Sequence, residues 1–217
     1  MKDYSTVFFD LDGTLVDSGE GVRNSVVYAL KKFGIEVENK DSLSCFIGPP
    51  LVVSFKTFFG FDDENADRGV SYYREYYKDK GIFEGYVYDG IEETLKRLKA
   101  AGKRVMVATS KPEIFAKQVL EKFGIAKYFD FIAGATIDEK TRSNKIEIMQ
   151  YAFDSSGASP EDTIMVGDRL FDIEGAKHFG MECIAVLYGY GSKEEFEQYG
   201  AEYIVGSAKD IADLILK

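Results

Sequence analysis

Val7-Phe8-Phe9-Asp10-Leu11-Asp12-Gly13-Thr14 is the stretch that decides how this chain is read. Val7, Phe8 and Phe9 favour β structure, and an unbroken apolar run of this kind suits a strand covered on both faces. Charge is not tolerated inside such a strand, so Asp10 marks its carboxyl end. Open α/β sheets bind ligands at those ends, and Gly13 permits the tight turn that swings Asp12 back toward the same place.

Outward from this strand, the chain beyond residue 88 alternates short apolar runs with helical patterns. The pattern predicts helices near 90–101, 112–123, 144–154, 170–179 and 207–216, and strands over 104–109, 129–133, 163–167, 183–187 and 202–205. Gly102, Gly124 and Gly180 each follow a helix, as C-terminal caps do. The alternation predicts an α/β fold, a doubly wound parallel sheet of order 3-2-1-4-5 with an extra edge strand. Between about residues 16 and 83 the rhythm breaks: 25–33, 51–59 and 66–77 all read as helical, with Gly48-Pro49-Pro50 as an interruption and no strand between them. The expected organisation is therefore a core of residues 1–15 and 84–217 with an inserted helical cap over 16–83, placed to act as a lid above the strand ends.

The chain has 217 residues, 45% of them apolar, which is enough for a substantial core. A net charge of −10 argues against a general nucleic-acid or anionic-membrane binder, since both need a basic surface. The opening Met-Lys-Asp-Tyr carries no apolar leader and no later stretch has the length of a membrane helix, so the expected location is cytoplasmic. Cys45 and Cys183 stand far apart without zinc-type spacing and read as free thiols, and the single histidine, His178, reads as a partly exposed structural side chain.

The first strand ends at Asp10, the second at Thr109-Ser110, and the fourth at Gly167-Asp168. Right-handed crossovers make the first and fourth strands neighbours, so Asp10, Asp12, Asp168 and Asp172 converge. Ser110 arrives from the second strand and Lys145 from the start of a helix. Such a group of acids calls for a cation, and an all-oxygen donor set without histidine or cysteine favours Mg2+ over zinc. A carboxylate held there, with Ser110 and Lys145 on the phosphate oxygens, can attack phosphorus, while Asp12 protonates the leaving alcohol and then deprotonates water. A calcium loop is excluded because Thr14, Leu15 and Gly21 occupy positions where that motif needs an oxygen ligand, glycine and glutamate. Lys111 and Arg169 read as solvated charges, and Asp17 and Asp41 as ordinary polar residues of the cap region.

With these residues in place the chain resembles the haloacid dehalogenase superfamily phosphatases. Asp10-Leu11-Asp12-Gly13-Thr14 matches the first motif of that family, Thr109-Ser110 the second, Lys145 the third and Gly167-Asp168-Arg169-Leu170-Phe171-Asp172 the fourth. The resemblance implies Asp10 as nucleophile and Asp12 as acid/base, with Ser110, Thr109 and Lys145 on the phosphate. It also implies magnesium held by Asp10, Asp168, the backbone carbonyl of Asp12 and, directly or through water, Asp172. The helical insert is similar to the caps of phosphoglycolate phosphatases and β-phosphoglucomutases. Phe46-Ile47-Gly48-Pro49-Pro50-Leu51, Ser110-Lys111-Pro112 and Gly189-Tyr190-Gly191-Ser192 are similar to phosphoglycolate-phosphatase-like proteins, whereas the loop 138–145 resembles a branch described as nucleotidases. The expected activity is magnesium-dependent hydrolysis of a small phosphate monoester, phosphoglycolate first and a nucleoside monophosphate next, by a monomer or homodimer. A 5'-nucleotidase, a β-phosphoglucomutase-type phosphomutase and a non-catalytic binding module are the alternatives. A dehalogenase is disfavoured, because Asp12 has no part in displacing halide.

Overall fold

The computed structural model describes residues 2–138 and 141–217. The loop 138–145 therefore lies partly outside the described residues, at 139 and 140. Six parallel strands form the main sheet: β1 (Thr6–Phe9), β4 (Arg104–Pro112), β5 (Phe131–Ala135), β6 (Thr163–Gly167), β7 (Cys183–Val186) and β8 (Tyr203–Val205). Their order is β5-β4-β1-β6-β7-β8, which is 3-2-1-4-5 with a sixth strand at one edge. Two short strands, β2 (Val16–Asp17) and β3 (Tyr86–Val87), pair separately.

β1 is central because its four side chains are all apolar or methyl-bearing and all buried. Thr6 to Phe9 pair with Arg104 to Val107 on one side and with Thr163 to Val166 on the other. The Asp10 N–H continues this ladder to Val166 O at 2.9 Å, so the first aspartate leaves the sheet between two neighbours. One face of the sheet presents Phe8, Met106, Ala108 and Met165. These pack on Ile148, Met149 and Phe153 of helix α6 (Lys145–Ser156) and Ile173 of α7 (Leu170–His178). The Phe8 and Phe153 rings stack at 5.0 Å. Burying each such aromatic contributes about 1.5–3 kcal/mol. Val7, Phe9, Val105 and Val107 alternate onto the other face and are equally buried. There α4 (Ile91–Ala100) lies along β4 and packs against α9 (Ala208–Ile215), with the Thr94 hydroxyl donating to Ala208 O at 2.7 Å.

The other helices are α1 (Gly19–Lys32), α2 (Leu51–Phe59), α3 (Asp63–Tyr77), α5 (Glu113–Lys122) and α8 (Lys193–Tyr199). The chain divides into two compact units, one of residues 1–17 with 87–217, the other Ser18–Tyr86. The second unit is helical. Its core is aromatic, with Phe46, Phe55 and Phe61 in ring contact and α3 packed on both α1 and α2. Asp62 caps α3 by accepting the Asn65 N–H at 2.8 Å. No helix among the described residues is long and apolar enough to cross a membrane.

Candidate active site

Directly after β1 the chain makes a tight turn. Gly13 sits at φ +87° and donates its N–H to Val16 O at 2.9 Å, while the Leu15 N–H returns to Leu11 O at 2.9 Å. Asp10 and Asp12 thus leave the strand in different directions and find different partners. Asp10 is 7% exposed and joins Asp168 and Asp172, one oxygen of each lying within 4.8 Å of the others. β6 delivers Asp168, and the first turn of α7 delivers Asp172. Asp172 Oδ2 accepts the N–H groups of Asp168 and Arg169, both at 3.1 Å, which caps that helix and fixes the carboxylate.

Lys145, the first residue of α6, is 5% exposed and reaches into the same cluster. Its Nζ lies 2.7 Å from Asp172 Oδ1 and 3.0 Å from Asp10 Oδ1, and donates to Ala108 O at 2.8 Å. Burial works to lower the lysine pKa, but Asp10 and Asp172 outweigh it and raise it, so the ammonium stays charged. Burial pushes the Asp10 carboxyl above the usual range, against the pull of Lys145 and with the repulsion of Asp172. Burial, Asp172 and Asp10 push Asp168 well above it.

Backbone packs closely around Asp168. The Thr14 hydroxyl donates to Oδ1 at 3.2 Å and the Tyr190 N–H to Oδ2 at 2.8 Å. A Cβ on Gly13 would stand 2.1 Å from Oδ2, and one on Gly189 would stand 2.4 Å from the Asp168 Cβ. Glycine is required there by close approach. Three buried carboxylates gathered beside one ammonium offer an all-oxygen donor set of the kind that suits a hard divalent cation. The described residues give that cluster no histidine or cysteine ligand, and His178 is exposed.

Asp12 lies apart from the three clustered acids. Its Oδ2 is 2.7 Å from the Nζ of Lys111, whose side chain is 5% exposed, and its Oδ1 is buried with no hydrogen-bond partner. Thr109 is buried at the end of β4 and its hydroxyl accepts the Lys111 N–H at 3.3 Å, while Ser110 is half-buried between them. Lys111 is therefore no solvated charge. Arg169 is likewise half-buried, its Nε 3.3 Å from Glu195 Oε1. Asp17 accepts a hydrogen bond from the Tyr190 hydroxyl within the α/β unit. An isolated lysine past a strand end has the pattern of a surface charge, so the sequence alone does not mark Lys111 as buried. Gly189 and Gly191 did carry a signal, as two glycines flanking one residue in a loop.

The profile of the haloacid dehalogenase-like hydrolases matches residues 7–186. The chain belongs to that family. A 5'-nucleotidase of Pseudomonas aeruginosa is 41% identical to this hydrolase over 196 residues, covering 90% of it and 88% of the relative. A phosphoglycolate phosphatase of Pseudomonas savastanoi is 31% identical over 191 residues, covering 85% and 70%. The crystal structure of a predicted phosphatase from Clostridium acetobutylicum superposes with a TM-score of 0.96 at 48% identity, over 99% of both chains. The hydrolase is accordingly a phosphatase, acting on phosphoric monoesters, with the α/β core and helical insert that its sequence resembles.

Proposed function

We propose that this hydrolase is a magnesium-dependent phosphatase of small soluble phosphate monoesters that works through an aspartyl-phosphate on Asp10. The observation that carries this reading is the separation of the two aspartates. Asp10 faces Lys145, Asp168 and Asp172, whereas Asp12 pairs, among the described residues, with Lys111. A carboxylate beside a buried ammonium can attack phosphorus, and a second one outside that cluster is available for protons.

Asp10, Asp168, Asp172 and the backbone carbonyl of Asp12 would hold Mg2+, which when bound neutralises charge on the transferring phosphoryl group. Asp10 attacks as the P–O bond to the leaving alcohol breaks, and Asp12 gives that alcohol its proton. Lys145 and Ser110 hold phosphoryl oxygens. In the second step Asp12 takes a proton from water as its oxygen displaces Asp10 from phosphorus, releasing phosphate. A nucleoside monophosphate is the first substrate class, since the nucleotidase resembles this chain more closely than the phosphoglycolate phosphatase does (41% against 31% identity). Phosphoglycolate is the second.

Phosphate release from nucleoside monophosphates, phosphoglycolate and sugar phosphates tests the reading. Asp10→Asn is expected to lower kcat by 10^4-fold or more, roughly the loss of a nucleophile acting in concert with its partners. Magnesium-dependent turnover by a folded Asp10→Asn protein would overturn it. Product analysis with a sugar phosphate separates hydrolysis from mutase chemistry.

A further inference from the structure

We infer that Lys111 is a positioning residue that directs proton transfer by Asp12, an assignment that rests on the acid/base reading of Asp12 proposed above. The backbone is built to bring this lysine inward. Thr109 pairs with Gly134 on β5, but the next pairing is Pro112 with Ala135, so β4 spends three steps where β5 spends one. That irregularity is a bulge containing Ser110 and Lys111, and bulges re-aim side chains. The Thr109 hydroxyl holds the Lys111 N–H, and a Cβ on Gly134 would lie 2.6 Å from Lys111 O and 2.8 Å from the Glu113 N. Only glycine opposite the bulge lets it pack.

Lysine is almost never buried unless paired, and here the ammonium is set 2.7 Å from Asp12 Oδ2. An ammonium has only protons to donate, so Oδ2 does not carry the exchangeable one. The proton is directed to Oδ1, the buried oxygen that has no hydrogen-bond partner. As the bond from phosphorus to the leaving oxygen breaks, that oxygen takes the Oδ1 proton and Asp12 becomes a carboxylate. Lys111 faces the charge as it develops. In the second step water gives a proton back to Oδ1 as its oxygen bonds to phosphorus and the bond to Asp10 breaks. Lys145 has a different task, held between Asp10, Asp172 and Ala108 O.

A group that serves general-acid transfer matters when the leaving group is poor and hardly at all when it is good. The test compares kcat/KM for an alkyl phosphate, such as a nucleoside 5'-monophosphate, with that for p-nitrophenyl phosphate. Lys111→Met is expected to lose about 30-fold on the alkyl ester, short of the general-acid range of about 10^2–10^4 for Asp12 itself, and under about 3-fold on the aryl ester. The double variant with Asp12→Asn should be no worse on the alkyl ester than Asp12→Asn alone. Lys111→Arg, which keeps the charge but shifts its position, should show the same selectivity in weaker form and serves if Lys111→Met does not fold. Equal losses on both esters, or additive losses in the double variant, overturn the inference. If Asp12→Asn discriminates between the esters and the Lys111 variants do not, the inference about Lys111 alone falls; if Asp12→Asn fails to discriminate, the acid/base reading falls and takes it along.

Discussion

At the scale of single residues, the site depends on what is missing from glycine. Gly189 has no positive φ to require it, and its role is clearance: an added methyl would stand 2.4 Å from both Gly13 O and the Asp168 Cβ. Backbone oxygen cannot rotate away, so Gly189→Ala must displace the loop or Asp168. Overpacking of this kind costs about 1–3 kcal/mol. Because the displaced group is a carboxylate of the cluster, phosphate release should fall by about 10-fold or more, in line with the sensitivity of catalysis to small misplacements. Gly206→Ala is the control, since nothing lies within 4 Å of its added methyl. Melting temperature and kcat measured on both variants check this, and a Gly189→Ala enzyme with unchanged kcat would refute it.

At the scale of elements, the edge strand β5 is tied to its neighbour by a side chain as well as by its backbone. Asp130, just before β5, gives its N–H to Val105 O at 2.7 Å and accepts the Val105 N–H on Oδ2 at 2.7 Å, while Lys99 of α4 donates to both carboxylate oxygens. Burial opposes ionisation of Asp130, but Lys99 and the Val105 N–H outweigh it and hold its pKa below the usual value. A depressed carboxyl stabilises the fold above its unfolded pKa, about 3.9, and that contribution vanishes as pH falls through the lower folded value. Asp130→Ala should therefore destabilise by on the order of 1 kcal/mol at pH 7, after screening of a partly exposed pair. The deficit should shrink in urea titrations as pH falls below the unfolded carboxyl value and through the lower folded one; a deficit constant with pH would refute the ionic account. The elements themselves were largely legible, because buried parallel strands read as continuous apolar runs and glycines mark the helix ends. α8 was not, since among its seven residues only Phe196 is buried and one apolar anchor makes no period. Nor was the extension of β4 from 109 to Pro112: the bulge depends on Gly134 across the ladder, a pairing that no local pattern reveals. That is why the convergence of Asp10, Asp168 and Lys145 is legible in the sequence while the inward turn of Lys111 is not.

At the scale of the whole molecule, an acidic chain of net charge −10 concentrates three of its carboxylates at one buried point. Folding without a cation carries an electrostatic cost. Asp10 and Asp168 both have folded pKa values above the ordinary range, chiefly through burial. For a raised carboxyl the sign is the reverse of Asp130: the ionised form is penalised, so the metal-free fold loses stability as pH rises from the unfolded value through the folded one, and regains it on acidification. Magnesium held as proposed by the folded cluster, and not by the dispersed acids of the unfolded chain, should offset that cost. At 100 times its Kd the gain is about 2.7 kcal/mol, or roughly 5–10 °C in melting temperature for a chain of this length. Asp10→Asn removes one penalised charge while its neutral amide keeps the shape. It should melt higher than the parent in excess chelator at pH 7.5, yet gain less from magnesium, so that the order of the two proteins reverses as the ion is added. Differential scanning calorimetry of both proteins, with chelator and with magnesium, reads this crossing. If the parent gains nothing from magnesium, or Asp10→Asn gains as much as the parent, the buried triad is not where the ion binds.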